Sequence, residues 1–297
     1  MTITTVDLHF LGLEHAIASY IIENSEGPIL IETGPYSTYP YLVEQINALG
    51  YKISDFKHVF ITHIHLDHAG AAWAFAKEGA NIYLHPLGVK HMADPSRLMA
   101  SAKMIYKDDM DRLWGQMEPI PESQLIQVGD KETIKVGDVE IKSLHTPGHA
   151  KHHIAWQIDG VIFSGDVAGV KIANGPVQPP CPPPDINIEY WLASINILRK
   201  AKPSLLYLTH YGSISNVDGH FDELEEILSD WSDFVKVKWE GGMTNEAIVP
   251  LFINYTNDQL KAKGLSQNEI DQYQAANPSW MSVAGLVRYW TKKMNTN

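Results

Sequence analysis

Four side chains able to hold a metal ion fall within six residues. They are His63, His65, Asp67 and His68, in the run Ile61-Thr62-His63-Ile64-His65-Leu66-Asp67-His68-Ala69-Gly70. Neutral imidazole and carboxylate are ordinary ligands for zinc and for iron. A single histidine is more often a core or surface residue. Four such groups in this spacing are not explained by packing, because buried polar groups without partners are costly. The run leaves a strand and enters a helix. His58 to Thr62 is apolar and β-branched, which predicts a short buried strand. Gly70 to Ala76 reads as a helix start. On so tight a connection His63 and His65 point one way, and Asp67 and His68 another.

Further landmarks follow in a fixed order: Ile31-Glu32-Thr33-Gly34, Thr146-Pro147-Gly148-His149, Phe163-Ser164-Gly165-Asp166 and Leu208-Thr209-His210. With the His63-to-His68 run, this set resembles the metallo-β-lactamase superfamily over about residues 1–215. The resemblance implies an α+β fold, a four-layer αβ/βα sandwich with a two-metal site at one edge of its sheets. It implies that His63, His65 and His149 hold one metal. Asp67, His68 and His210 then hold a second, and Asp166 bridges the two. The cofactors expected are two divalent ions per chain. Zinc is the first expectation, and iron and manganese also accept such nitrogen and oxygen ligands. Two catalytic roles are expected beyond ligation. Asp67 positions a hydroxide shared by the metals. Tyr211, next to His210, either donates to the oxyanion or leaving group or is an aromatic wedge beside the ligand. Glu32 stands where the superfamily usually has aspartate, and is expected to orient the metal loop from outside it. His152 and His153 are expected not to ligate, and His85 to be a strand-end histidine.

The reaction implied is hydrolysis of a small ester, thioester, lactone or phosphoester by a glyoxalase II-like or lactonase-like member. Asp166 in the bridging position is similar to those branches, whereas true β-lactamases of the fold usually lack it. A glutamate in place of His65 would have suited the flavin-coupled di-iron oxygen reductases. The short stretch between Asp166 and His210 leaves no room for the large inserted domain of the nuclease branch. Two other readings stay open: an iron-dependent oxygenase of the persulfide dioxygenase type, and a metal-stabilised binding protein without turnover.

The chain has 297 residues, long enough for a substantial core in one large or two smaller domains. Lys and Arg number 23 against 35 Asp and Glu, a formal net charge of −12. That balance argues against nucleic acid as a partner and leaves a small molecule as the expected substrate. A single cysteine, Cys181, excludes an intrachain disulfide and suits a reducing compartment. Met1 to Asp7 has neither a basic nor an apolar leader segment, and no apolar run is long enough for a membrane span. A cytoplasmic location is the expectation.

The elements that must position the ligands can be read in order. Val6–Leu11, Ala16–Ile22 and Pro28–Glu32 are expected strands, and Tyr39–Leu49 a helix ended by Gly50. Asn81–Leu84 follows as a strand. Residues 87–124 read as a helical insert, with stretches at Leu87–Met92 and Leu98–Tyr106. Met110, Leu113, Trp114 and Met117 add an apolar stripe at helical spacing. Such a stripe packs on the core, forms a lid over the metals, or both. Leu125–Val128, Glu132–Val136 and Val139–Ser143 are expected to form a meander that begins the second sheet. Ile154–Ile158 and Val161–Ser164 form a hairpin. Prolines at 176, 179, 180 and 182–184 predict a stiff extended loop beside the site. Tyr190–Lys200 is a helix, and Leu205–Leu208 the last core strand. Residues 1–215 then form the catalytic domain and 216–297 a helical extension packed on it. Helices are expected at Phe221–Phe234, after the Ser266-to-Glu269 capping box, and at Ser282–Trp290. The extension would shape the cleft or a homodimer contact.

Overall fold

Alternation along the strands builds the molecule around two sheets. The computed structural model describes residues 2–295. The first sheet contains β1 (Ile3–Asp7), β2 (Ala18–Ile22), β3 (Ile29–Ile31), β4 (His58–Phe60), β5 (Asn81–Leu84) and β6 (Leu125–Gln127), in that spatial order. The second contains β7 (Thr133–Val136), β8 (Val139–His145), β9 (Ile154–Ile158), β10 (Val161–Phe163), β11 (Leu205–Leu208) and β12 (Gly212–Ile214), again in order. Side chains two apart share a face. Thus Tyr20 and Ile22 of β2 face the second sheet, while Ile21 faces the outer layer. Phe60, Tyr20, Trp156 and Phe163 meet between the sheets, each almost fully buried. Burial of each contributes roughly 1.5–3 kcal/mol.

Helices cover both outer faces, because parallel neighbours need crossovers. Pairs β3–β4, β4–β5 and β5–β6 are parallel. Their crossovers carry α1 (Tyr39–Ala48), then α2 (Leu66–Ala69) and α3 (Ala72–Lys77), then α4 (Val89–Ala93), α5 (Ser96–Tyr106) and α6 (Met110–Leu113). In the second sheet only β10–β11 is parallel, and α7 (Ile188–Lys200) crosses it. The C-terminal helices are α8 (Val217–Glu240), α9 (Asn245–Ala262), α10 (Gln267–Ala276) and α11 (Ser279–Asn295). Phe221, Leu224 and Trp231 of α8 share one apolar cluster with Ile162, Leu206 and Val283. The result is the expected four-layer α+β sandwich with C-terminal helices.

Four expectations need correction. The strand expected over Val6–Leu11 ends at Asp7, because its carboxylate accepts from His9 N and His15 N at 2.9 and 2.7 Å and turns the chain. Leu125–Gln127 does not begin the second sheet. It joins the first, parallel to β5, because the segment over residues 87–124 is a crossover. The stripe from Met110 to Met117 is not one helix. It stops at Leu113, with Gly115 at φ 68°, although Met110 and Met117 are both buried. Leu205–Leu208 is followed by one more strand, β12, at the sheet edge.

The C-terminal helices also hold the proline loop. Tyr273 Oη donates to the Pro176 carbonyl at 2.8 Å, and Ser282 Oγ accepts from Cys181 N at 3.3 Å. Gly285 of α11 lies so close to the loop that an added Cβ would stand 1.9 Å from the Cys181 carbonyl oxygen. Gly285→Ala is therefore expected to destabilise the fold by about 1–3 kcal/mol, read from the midpoint of urea unfolding.

Candidate metal centre

Seven ligand-type side chains converge from both sheets. Four come from the loop after β4 and from α2; His149 comes from the turn between β8 and β9, Asp166 from the end of β10, and His210 from the end of β11. Strand ends are good platforms, since the pleat fixes direction and the sheet fixes position. Trp156 supports the loop from below by donating Nε1–H to the Ile61 carbonyl at 3.1 Å. Gly165, at φ 50°, presents Asp166 where an added Cβ would stand 2.5 Å from Thr62 Oγ1.

The nitrogen atoms face one another. His63 Nε2 is 2.9 Å from His65 Nδ1 and 3.2 Å from His149 Nε2, and His149 Nε2 is 3.0 Å from His65 Nδ1. A second group joins Asp67, His68 and His210, with His210 Nε2 3.5 Å from Asp67 Oδ2. Asp166 lies between the groups. Its Oδ2 is 3.3 Å from His149 Nε2, while its Oδ1 is 3.2 Å from His68 Nε2 and 3.4 Å from His210 Nε2. One carboxylate thus offers one oxygen to each group.

Outer hydrogen bonds set which nitrogen faces inward. His149 Nδ1 donates to the Pro180 carbonyl at 2.8 Å, and His210 Nδ1 donates to the Ala16 carbonyl at 2.7 Å. Each Nε2 therefore carries its lone pair into the site. Glu32 lies beneath the metal loop. Its Oε1 accepts from Thr62 N at 3.2 Å and lies 3.4 Å from His68 Nδ1. Glu32→Gln is expected to keep the fold and weaken metal binding about 10- to 100-fold, measured by competition with a chromogenic chelator.

Electrostatics match a cation site. Burial, then the neighbouring His68, push His63 well below its ordinary range; burial pushes His149 down, and burial with His149 brings His65 to about 4. These three are neutral ligands at neutral pH. Burial alone would raise Asp166, yet His68, His149 and His210 hold it well below the usual carboxylate range. Asp67, likewise opposed by burial, is held at about 2 by His68 and His210. Burial would lower His68, but Asp166, Asp67 and Glu32 raise it well above its ordinary value. His68 Nε2, His210 Nε2 and Asp166 Oδ1 are buried without a hydrogen-bond partner. Polar atoms orphaned in this way are rare and expensive. A buried cluster of histidines and carboxylates of this kind suits metal binding.

These residues also occupy the region shared with known proteins. A model of the Metallo-beta-lactamase superfamily matches residues 13–210. The chain belongs to the metallo-β-lactamase superfamily. Within it, the chain is 29% identical over 168 residues to the metallo-beta-lactamase fold-containing protein ST1585 of Sulfurisphaera tokodaii, covering 53% of this chain and 61% of that one. It is 26% identical over 137 residues to a hydroxyacylglutathione hydrolase of Bradyrhizobium sp., covering 46% and 39%. The match thus spans less than two thirds of either relative. The solved structure of the metallo-β-lactamase family protein TTHA1429 from Thermus thermophilus superimposes with a TM-score of 0.65 at 18% identity, covering 94% of this chain and 89% of that one. Its likeness is one of fold. Members of the superfamily are mostly metal-dependent hydrolases.

All seven expected ligands meet, but Tyr211 does not join them. Its ring lies 4.7 Å from that of His15, and its hydroxyl faces Asp7, outside the cavity over the cluster. Chain adjacency to His210 misplaced it. His153 is held by Thr146 Oγ1 at 2.8 Å, and His85 caps Leu87 N at 3.0 Å. The cavity, of about 330 Å³, is bounded by α5, the proline loop and the start of α11. Tyr106 lines it together with Asp67 and Asp166. Burial, then the charge of Asp67, raises the Tyr106 hydroxyl pKa. His152 also borders the cavity, held neutral by burial with a pKa of about 3. The helical stretch Leu98–Tyr106 of the insert was the signal for Tyr106; the Pro180 carbonyl left none, since a backbone acceptor has no side-chain signature.

Proposed function

We propose that this chain is a hydrolase that uses two divalent cations, zinc first among them, to cleave a small ester, thioester, lactone or phosphoester. One observation carries the reading: Asp166 turns one carboxylate oxygen to each of two ligand groups. His63, His65 and His149 would hold one ion, and Asp67, His68 and His210 the other. Bound there, divalent cations supply Lewis acidity and bring the pKa of a water toward about 7. The protein's own part is placement. Asp67 and Asp166 both border the cavity, and Asp67 has the more exposed side chain, 21% against 4%, so it orients the attacking water. Apolar walls exclude bulk water and strengthen the charge interactions inside. Tyr106 lines the same cavity as Asp67 and offers a hydroxyl donor to a leaving group. Similarity to a hydroxyacylglutathione hydrolase supports hydrolysis.

Tyr106→Phe is expected to lower kcat about tenfold with the metal content unchanged, while Tyr211→Phe stays within about twofold of the parent. The reading itself is tested by giving zinc-loaded protein a panel of chromogenic esters, lactones and phosphodiesters. Cleavage of one class supports it. Oxygen uptake with glutathione persulfide by protein holding a single iron would replace it with an oxygenase.

A further inference from the structure

The cavity beside the metal cluster is mostly apolar away from the cluster, although His91, Arg97, Ser101, Asp185 and Asn277 also line it. Its cluster end holds His65, Asp67, Asp166 and His152; much of the rest is apolar, with Leu98 and Ile105 of α5, Trp114, Pro182 and Met281 among its walls. Among the described residues that border it, Arg97 is the one lysine or arginine, and it is exposed. Three cations stand at the rim, bonded to lining residues but not themselves lining the cavity. Lys151 pairs with Asp185 at 3.2 Å, and Arg288 and Lys292 donate to the Pro184 carbonyl at 3.3 and 2.8 Å.

We propose that this cavity receives the apolar acyl or aryl body of a neutral carboxylic ester or lactone, with the scissile carbonyl at the cluster. The proposal rests on the hydrolase reading above and narrows it. A phosphodiester tail, or the carboxylates of a glutathione conjugate, would enter this space without enclosed cationic partners, and an unpaired buried charge is strongly disfavoured. The chain's net charge of −12 opposes anionic substrates at long range as well. An alkyl chain meets no such cost. Each methylene transferred to an apolar wall is expected to raise kcat/KM about fourfold until the cavity is full.

The test uses full-length, zinc-loaded protein and the p-nitrophenyl esters of acetate, butyrate, hexanoate and octanoate. The mono-p-nitrophenyl ester of adipate and S-lactoylglutathione serve as charged competitors. We expect kcat/KM to rise at least tenfold from acetate to hexanoate, and hexanoate to exceed both charged compounds at least tenfold. Leu98→Ser and Ile105→Ser should each lower the hexanoate-to-acetate ratio several-fold with the metal content intact. A flat or falling series, or preference for the adipate ester or the glutathione thioester, would overturn the proposal while leaving the hydrolase reading standing. If no compound is cleaved, the hydrolase reading fails by itself, and binding decides the cavity's occupant. Octanamide should then displace Nile red from the parent protein at a midpoint at least tenfold below that of butyramide. The gap should shrink in both variants, and equal midpoints in the parent protein would sink the proposal.

Discussion

His149→Ala is expected to strip the protein of bound metal and lower kcat/KM on the order of 10³-fold or more. The imidazole is buried, and its Nε2 sits within 3.3 Å of His63, His65 and Asp166. No other histidine can replace it, because His152 and His153 are fixed by their own neighbours: Nδ1 of His152 accepts from Ile64 N at 3.5 Å, and His153 bonds Thr146. The change also deprives the Pro180 carbonyl of its donor, so the proline loop loses its tie to the site. Loss of metal and of turnover together, by elemental analysis and steady-state kinetics, is the expected outcome. Metal-free protein that remains fully active would contradict the ligand assignment.

Asp166→Asn should act differently. The substitution keeps the shape and removes the charge that sits between the ligand groups. Asparagine offers one weak acceptor, and its amide nitrogen would donate toward nitrogens whose lone pairs point inward. The group of His63, His65 and His149 keeps three imidazoles and should retain an ion. The group of Asp67, His68 and His210 loses its shared oxygen and should empty first. One ion per chain and a fall in kcat of about 10²- to 10³-fold are expected. The two variants are therefore separable: His149→Ala strikes the imidazole group, and Asp166→Asn spares it.

The metal loop was legible because its ligands are contiguous and bracketed by a strand and a helix. Their identities alone announce coordination chemistry. His149, Asp166 and His210 are different. Each follows a different strand, and only the resemblance of the ordered landmarks tied them to the loop. The local pattern found nearly every strand, but it missed the helix Asn245–Ala262 and put one strand in the wrong sheet. Leu125–Gln127 looks like the start of a meander because sheet membership is set by long-range pairing, here with β5. Tyr211 and Tyr106 make the same point within the site. One is next to a ligand in the chain and faces Asp7; the other lies on the insert and faces the cavity. Cavity walls assembled from α5, the proline loop and α11 have no local signature, because three distant segments must first fold against one another.

The proposed function requires two cations that share the Asp166 carboxylate. Anomalous diffraction at the zinc absorption edge, from crystals of the zinc-loaded protein, tests this directly. We expect two peaks flanking Asp166, one among His63, His65 and His149 and the other among Asp67, His68 and His210. A single peak, or two peaks with Asp166 bound to neither or to one alone, would contradict it.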